Sequence, residues 1–404
     1  MTLTTNQNTL MSAELLHTVT RRAIACAAEN LRPGKKVVLG PPCPSVTSYV
    51  CRVTVDDEEL IAKYSWLGMS LVSILRGAGG TWEEVQEAQR TYLRSTDLLT
   101  AREAQNLEAL RELGSLRVCE TAGLHGGVLF TRIAAGTSLA DELAARPWET
   151  AAFLDTVLAT LGDLHGPAGA ERLRRTAPIG ERSVVGVFRR KFNGLSAAGY
   201  LRALGRDSGL PEPERQKIVA LIQNTVGRLL RMTGAVSPRR DTVVFGDLKP
   251  EHVYIDYIDG PRLQFIDPAV QWAAGPQPDI AKLAGRALLL AIVQPEPQAG
   301  RQIVQGVAST LARHAAVLPE HESTGQLREV MVLWLMDTVS ILSTCLSAPP
   351  GLPLAPHQQS LVAHAGTVAR IADRASALLT GATAGPRLLD TVFSEVEWTT
   401  WKTW

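Results

Sequence analysis

Asp247, Lys249, His252 and Asp267 are the residues of this chain whose types and spacing could do chemistry together. The first three lie in Val244-Phe-Gly-Asp-Leu-Lys-Pro-Glu-His-Val-Tyr-Ile255, the fourth in Leu263-Gln-Phe-Ile-Asp-Pro268. Phosphoryl transfer asks little covalent help of a protein. It asks for a carboxylate that orients the attacking hydroxyl, and for metal ligands beside the phosphates, where charge develops. An Asp, a basic group two residues on, a metal-competent side chain five residues on and a second Asp on the next strand meet those needs. Taken alone, Gly246-Asp-Leu-Lys-Pro250 also reads as a simple turn between strands.

Such side chains need rigid elements to aim them. The β-prone runs Thr242-Val-Val-Phe245, Val253-Tyr-Ile-Asp256 and Leu263-Gln-Phe-Ile266 flank the loops and form an island in a helical region. Before the island, helices are expected over Trp148–His165 and Glu212–Met232; after Asp279 the pattern is helical throughout. The first third differs. Residues 12–31 read as an amphipathic helix stopped by Arg32-Pro-Gly34. Three short β-prone runs follow at 37–39, 48–55 and 59–64, punctuated by Gly40-Pro-Pro-Cys-Pro-Ser45 and Asp56-Asp-Glu58. A helix is expected over Leu99–Leu113, and strands over Leu116–Val118 and Gly127–Thr131. The fold class is therefore α+β, a small antiparallel sheet followed by a larger helical part.

Composition narrows the function. The 404 residues carry 41 basic and 40 acidic side chains, a net charge of +1, which argues against a nucleic-acid binder held by a broad basic footprint. An apolar content of 45% excludes a disordered chain. Five scattered cysteines without a C-x-x-C pair exclude a disulfide scaffold and speak against a zinc site. The first residues lack the basic start and apolar block of a signal peptide, and Val330–Leu346 is short for a bilayer and contains Asp337. A cytoplasmic protein with no membrane or nucleic-acid partner is expected.

The Asp247 stretch resembles the catalytic segment of the protein-kinase-like fold, in particular the aminoglycoside phosphotransferase and choline kinase-like family. That family reads His-Gly-Asp, a few variable residues, Asn, then Ile-Asp on the next strand. The resemblance implies a two-lobe fold with a small antiparallel-sheet lobe and a large helical lobe, ATP as phosphate donor and Mg²⁺ as the metal. It implies Asp247 as the catalytic base, Asp267 and His252 as metal ligands, and Lys249 as the lysine that meets the transferred phosphate. Phe245 and His252 depart from the family, standing where His and Asn are usual.

Upstream, Lys63 matches the strand lysine that pairs with the nucleotide's phosphates, and Glu103 its partner carboxylate. Without that resemblance, Lys63 reads as an edge charge and Glu103 as a favourable charge near a helix start. Ser45, Thr47 and Ser48 occupy the phosphate-covering turn, and the backbone at Arg132, Ile133 and Ala134 the adenine-contacting link. His165 reads as a packed structural histidine, and Asp279 as a helix N-cap supporting the catalytic loop. The resemblance covers residues 36–293.

The domain reading follows: 1–35 a helical extension, 36–135 the nucleotide-binding lobe with an insertion at 66–98, and 136–404 the helical lobe with its catalytic loop at 244–268. The apolar run Trp66–Gly80 serves either as a cap within the lobe or as a protein-docking surface. Trp398, Trp401 and Trp404 form a stripe that either folds onto the body or meets a partner. Residues 171–191 hold seven Arg or Lys against Glu171 and Glu181, which disfavours polycationic acceptors at a site they border. The expected function is transfer of the ATP γ-phosphate to a hydroxyl of a small metabolite, a sugar or an antibiotic or other natural-product intermediate. One alternative acceptor is Ser or Thr of a precursor peptide, as in lanthipeptide-type maturation with a separate lyase as partner enzyme. The other alternative is a pseudokinase scaffold.

Overall fold

A computed structural model of the chain describes residues 12–194, 197–258, 260–381 and 386–401. They divide into two compact units. The first takes residues up to 105, 119–133 and 347–355; the second takes 106–118, 134–346 and 356 onwards.

Alternation builds the first unit. In β2 (Tyr49–Val55), Tyr49, Cys51, Val53 and Val55 are buried while the residues between them are not. β2 pairs antiparallel with β1 (Val37–Cys43) and β3 (Glu58–Tyr64), and β3 with β5 (Val128–Arg132). Adding β4 (Thr121–His125) gives the order β1-β2-β3-β5-β4. The helix Ala13–Leu31, capped by Ser12, buries Leu16, Ile24 and Ala28 in the same core. The segment 347–355 contributes Leu352 to this core, and the Ser347 carbonyl accepts from Arg76 Nε at 2.7 Å.

The insertion is part of the unit. Trp66, Leu71, Val72, Ile74 and Leu75 are buried in its core, Trp66 edge-on to Tyr64 and its indole N–H bonded to Thr20. Gln89, on the helix Trp82–Tyr92, accepts from the Leu67 N–H and donates to Tyr64 and Ser65. One expected strand is displaced. Leu116 and Val118 are buried, but among the described residues Val118 makes only an isolated bridge with Phe265, and the strand forms at Thr121–His125. That edge strand, Thr-Ala-Gly-Leu-His, is partly exposed and has no apolar alternation to announce it.

In the second unit two small sheets carry the island. β7 (Thr242–Val244) pairs with β10 (Gln271–Ala273). β8 (Val253–Asp256) pairs with β9 (Arg262–Phe265), and its other edge takes β6 (Thr137–Ser138). Gly136, at φ 89°, lets the chain pass β8: a Cβ there would lie 2.0 Å from the Ile255 carbonyl. The helices Gln277–Ile292, Pro297–Ala316 and Glu320–Leu346 pack on one another in the same unit. By length and composition Glu322–Leu346 could cross a membrane, but nearly all of it is buried as a core helix. The helix expected over Trp148–His165 is split into a 3₁₀ turn, Pro147–Glu149, and helices Thr150–Thr160 and Gly162–His165. On the last helix, Pro386–Trp401, the Trp398 ring lies under Arg374 and Trp401 packs on Gly300. Trp404 lies outside the described residues.

Candidate active site

The second unit assembles the candidate base and metal ligands, and the chain's turn chemistry explains how. After β7, Gly246 takes φ 86°, where a Cβ would lie 2.0 Å from the Ala269 carbonyl. Only glycine fits there, and it turns Asp247 out of the strand. Phe245 is fully buried against Phe265 at 5.7 Å, an apolar packing role. Beneath the turn, Asp279 is fully buried and accepts three hydrogen bonds: from Phe245 N at 2.7 Å, Gly246 N at 2.8 Å and His165 Nε2 at 2.9 Å. Asp279 is not the expected N-cap, because its helix starts at Gln277; its carboxylate is taken by the loop instead.

Asp247, His252 and Asp267 offer ligand atoms that all lie within 4.8 Å of one another. Lys249 Pro250 and Glu251 turn the chain through one 3₁₀ turn so that His252 faces back on the loop, its Nδ1 3.0 Å from the Asp247 carbonyl. Burial first, and then Lys249, push the imidazole down to about 4, against the opposing pull of Asp267 and Asp247. The ring is therefore neutral at pH 7. With Nδ1–H donated to the carbonyl, Nε2 presents a lone pair 3.5 Å from Asp267 Oδ2. Two acceptors facing each other want a cation between them, so the donor set fits a bound divalent metal. Two carboxylates suit a hard ion such as Mg²⁺; the imidazole is the less usual third donor. Asp267 itself sits at φ 59°, a conformation that costs a non-glycine residue energy and here aims its carboxylate at His252.

Asp247 also gathers cations. Lys282 Nζ lies 2.5 Å from Oδ1, and Lys249 Nζ 3.4 Å from Oδ2. Burial alone would raise this carboxyl, but Lys249, Lys282 and His252 hold it well below the usual range, so it is a carboxylate at neutral pH. Lys282 lies 3.9 Å from Asp337, which Arg286 grips through two nitrogens at 2.6 and 3.2 Å. Sequence reasoning singled out none of Lys282, Arg286 or Asp337 for this site. The signals were available: Lys282 and Arg286 share a helix face with Asp279, and a carboxylate in an apolar helix needs a buried partner. Beside the loop, Glu251, Arg286, Leu289, Val293, Ile341 and His357 line a cavity. Among the described residues, Glu251 Oε2 is buried with no hydrogen-bond partner, room for a donor from a ligand or a water.

The first unit holds the other candidates. Lys63 pairs across the sheet with Val50 and Leu129 and meets both oxygens of Glu103, at 2.8 and 2.7 Å. The two side chains are only 6% and 3% exposed. Ser45 Oγ accepts from the Thr47 and Ser48 N–H groups at 3.4 Å, folding the turn upon itself; Thr47 is exposed and Ser48 buried. The Arg132 side chain is engaged by Glu58 and Glu120, and its backbone N–H donates to the Glu120 carbonyl at 2.9 Å, so that donor of the expected adenine-contacting link is already taken. Ile133 ends the first unit and Ala134 begins the next stretch of the second.

No family model matches the chain, and no curated protein matches it. Solved structures do. The amicoumacin kinase hAmiN in complex with AMP-PNP, Ca²⁺ and Ami is 12% identical, covering 90% of this chain and 96% of its own, at a TM-score of 0.46. The aminoglycoside phosphotransferase APH(4)-Ia is 11% identical over 89% and 98% of the two chains, at 0.44. The ethanolamine kinase of Plasmodium vivax is 10% identical over 91% and 90%, at 0.42. All three are kinases or phosphotransferases by name.

Proposed function

We propose that the protein is a divalent-metal- and ATP-dependent phosphotransferase whose acceptor is a hydroxyl group of a small metabolite. The observation that carries this reading is the convergence of Asp247, His252 and Asp267 on one point, with Asp247 kept ionised by the lysines beside it. Mg²⁺, held by Asp267 and His252 with Asp247 beside them, would neutralise phosphate charge. Asp247 orients the acceptor hydroxyl and takes its proton. Lys249 supplies positive charge next to that carboxylate, where the transferred group arrives. In the first unit, Lys63, fixed by Glu103, serves the α/β-phosphates.

Among acceptors, two features favour a small molecule over a precursor peptide. The insertion at 66–98 spends its apolar side chains on its own unit, and Trp401 packs on the body of its own. The basic run is partly spent as well: Arg172 pairs with Glu112, Arg174 with Glu171, and Lys191 bonds to Ser340 and Thr344. A scaffold without turnover has no need of an ionised Asp247 facing two metal-competent groups.

The test is ADP release from Mg-ATP against a panel of hydroxyl compounds (sugars, amino alcohols, natural-product scaffolds) and a Ser/Thr peptide. Acceptor-dependent release that disappears in Asp247→Asn, with ATP affinity within a few fold of wild type, is expected. Equal turnover in wild type and Asp247→Asn would overturn the assignment.

A further inference from the structure

We propose that Lys282 is a positioning residue for the reaction, fixing the carboxylate of Asp247 in the orientation that accepts the acceptor's proton. The inference rests on the reading of Asp247 as the base.

The geometry is asymmetric. Asp279 holds the backbone before Asp247, through Phe245 N and Gly246 N, but those bonds leave the Asp247 side chain free to rotate. Lys282 removes that freedom. Its Nζ lies 2.5 Å from Oδ1, whereas Oδ2 faces Lys249 at 3.4 Å and His252 Nδ1 at 3.6 Å. One oxygen is thus occupied from the helix side and the other is left towards the loop. Lys282 is itself pinned. Its side chain is 8% exposed, and Asp337 on its far side is clamped by Arg286.

The same helix therefore holds the loop twice. Asp279 fixes the main chain, and Lys282, on the same face one turn later, fixes the side chain. Charge-assisted bonds at such distances are short and directional, and misplacing a reacting group by about 1 Å can cost ~100-fold in rate. Loss of Lys282 leaves Asp247 with Lys249 and Asp337 with Arg286, so neither carboxylate becomes an unpaired buried charge.

Steady-state ADP release from Mg-ATP, with water as acceptor, tests the role in the full chain. Lys282→Met is expected to lower kcat roughly 10- to 100-fold with KM for ATP within about threefold. Lys282→Gln, which keeps a donor near Oδ1, is expected to fall between Lys282→Met and wild type, and it serves as the readable variant if Lys282→Met fails to fold. In the Asp247→Asn background, adding Lys282→Met is expected to change the residual kcat by less than about twofold, since the lysine acts through that carboxylate. Wild-type kcat in Lys282→Met, or losses that multiply in the double variant, would overturn the proposal while leaving Asp247 as the base. Wild-type kcat in Asp247→Asn would instead sink the functional reading itself.

Discussion

Replacing Asp279 by Ala should cost the second unit more than its single-residue size suggests. The carboxylate is fully buried and accepts from two main-chain donors at 2.7 and 2.8 Å and from His165 at 2.9 Å. Truncation strands the Phe245 and Gly246 N–H groups in a buried turn, and a buried unsatisfied donor costs about 1–3 kcal/mol. Two such donors give about 4 kcal/mol, against a total stability of about 5–15 kcal/mol for a typical domain. For a unit of this size each kcal/mol moves Tm by roughly 2–4 °C, so a fall of roughly 8–16 °C is expected. Asn at this position keeps one acceptor oxygen and should recover about half. His165→Ala removes one partner and spares both main-chain bonds, so its loss should be smallest. Scanning calorimetry of the three variants gives the order directly. If Asp279→Ala melts within about 2 °C of wild type, or if Asn and Ala are equal, the carboxylate does not hold the turn.

Three further outcomes follow from other contacts. Lys63→Met leaves Glu103 buried without its ammonium partner and should destabilise by about 3–5 kcal/mol in urea melts, while Lys63→Met with Glu103→Leu recovers most of that; equal loss in both would contradict it. Asp267→Ala should raise the Mg²⁺ concentration needed for half-maximal ADP release, and excess EDTA should abolish turnover in wild type; His252→Asn should retain more activity than His252→Ala. Burial pushes the Lys191 ammonium down to about 8 from an unfolded value near 10.5, so the unfolded state binds more protons between those values. Stability should therefore rise from pH 8 towards 10.5, by up to about 3 kcal/mol, and lie at its lower plateau below pH 8. Lys191→Met should lack that rise in urea melts at pH 7 and pH 10; an identical rise in the variant would refute it.

What the sequence made legible was local. The strand at 48–55 alternates and the run at 59–64 is β-prone, the helix at 12–31 carries its cap and stop, and Asp247, His252 and Asp267 sit on loops between recognisable strands. Lys63 and Glu103, 40 positions apart, meet because a central strand and a helix bring them together. β4 escaped notice because an edge strand of Thr, Ala and Gly buries too little to show a pattern, and β6 and β10 because two or three residues have no period. The contacts among Lys282, Asp337 and Arg286 were illegible for a different reason. Two helices carry them, and their pairing is fixed by packing between segments 51 positions apart.

The first unit's use of residues 347–355 has a consequence for how the protein is made. On a ribosome adding about 5–20 residues per second, the sheet strands through Arg132 emerge long before Leu352. More than two hundred residues separate them, so the core around Trp66 and Leu71 waits on the order of 10–40 s for its last piece. During translation that apolar surface stands open to chaperones and to other nascent chains. A release from the ribosome before residue 347 would therefore yield a product with an incomplete first unit, however well its sheet had already paired.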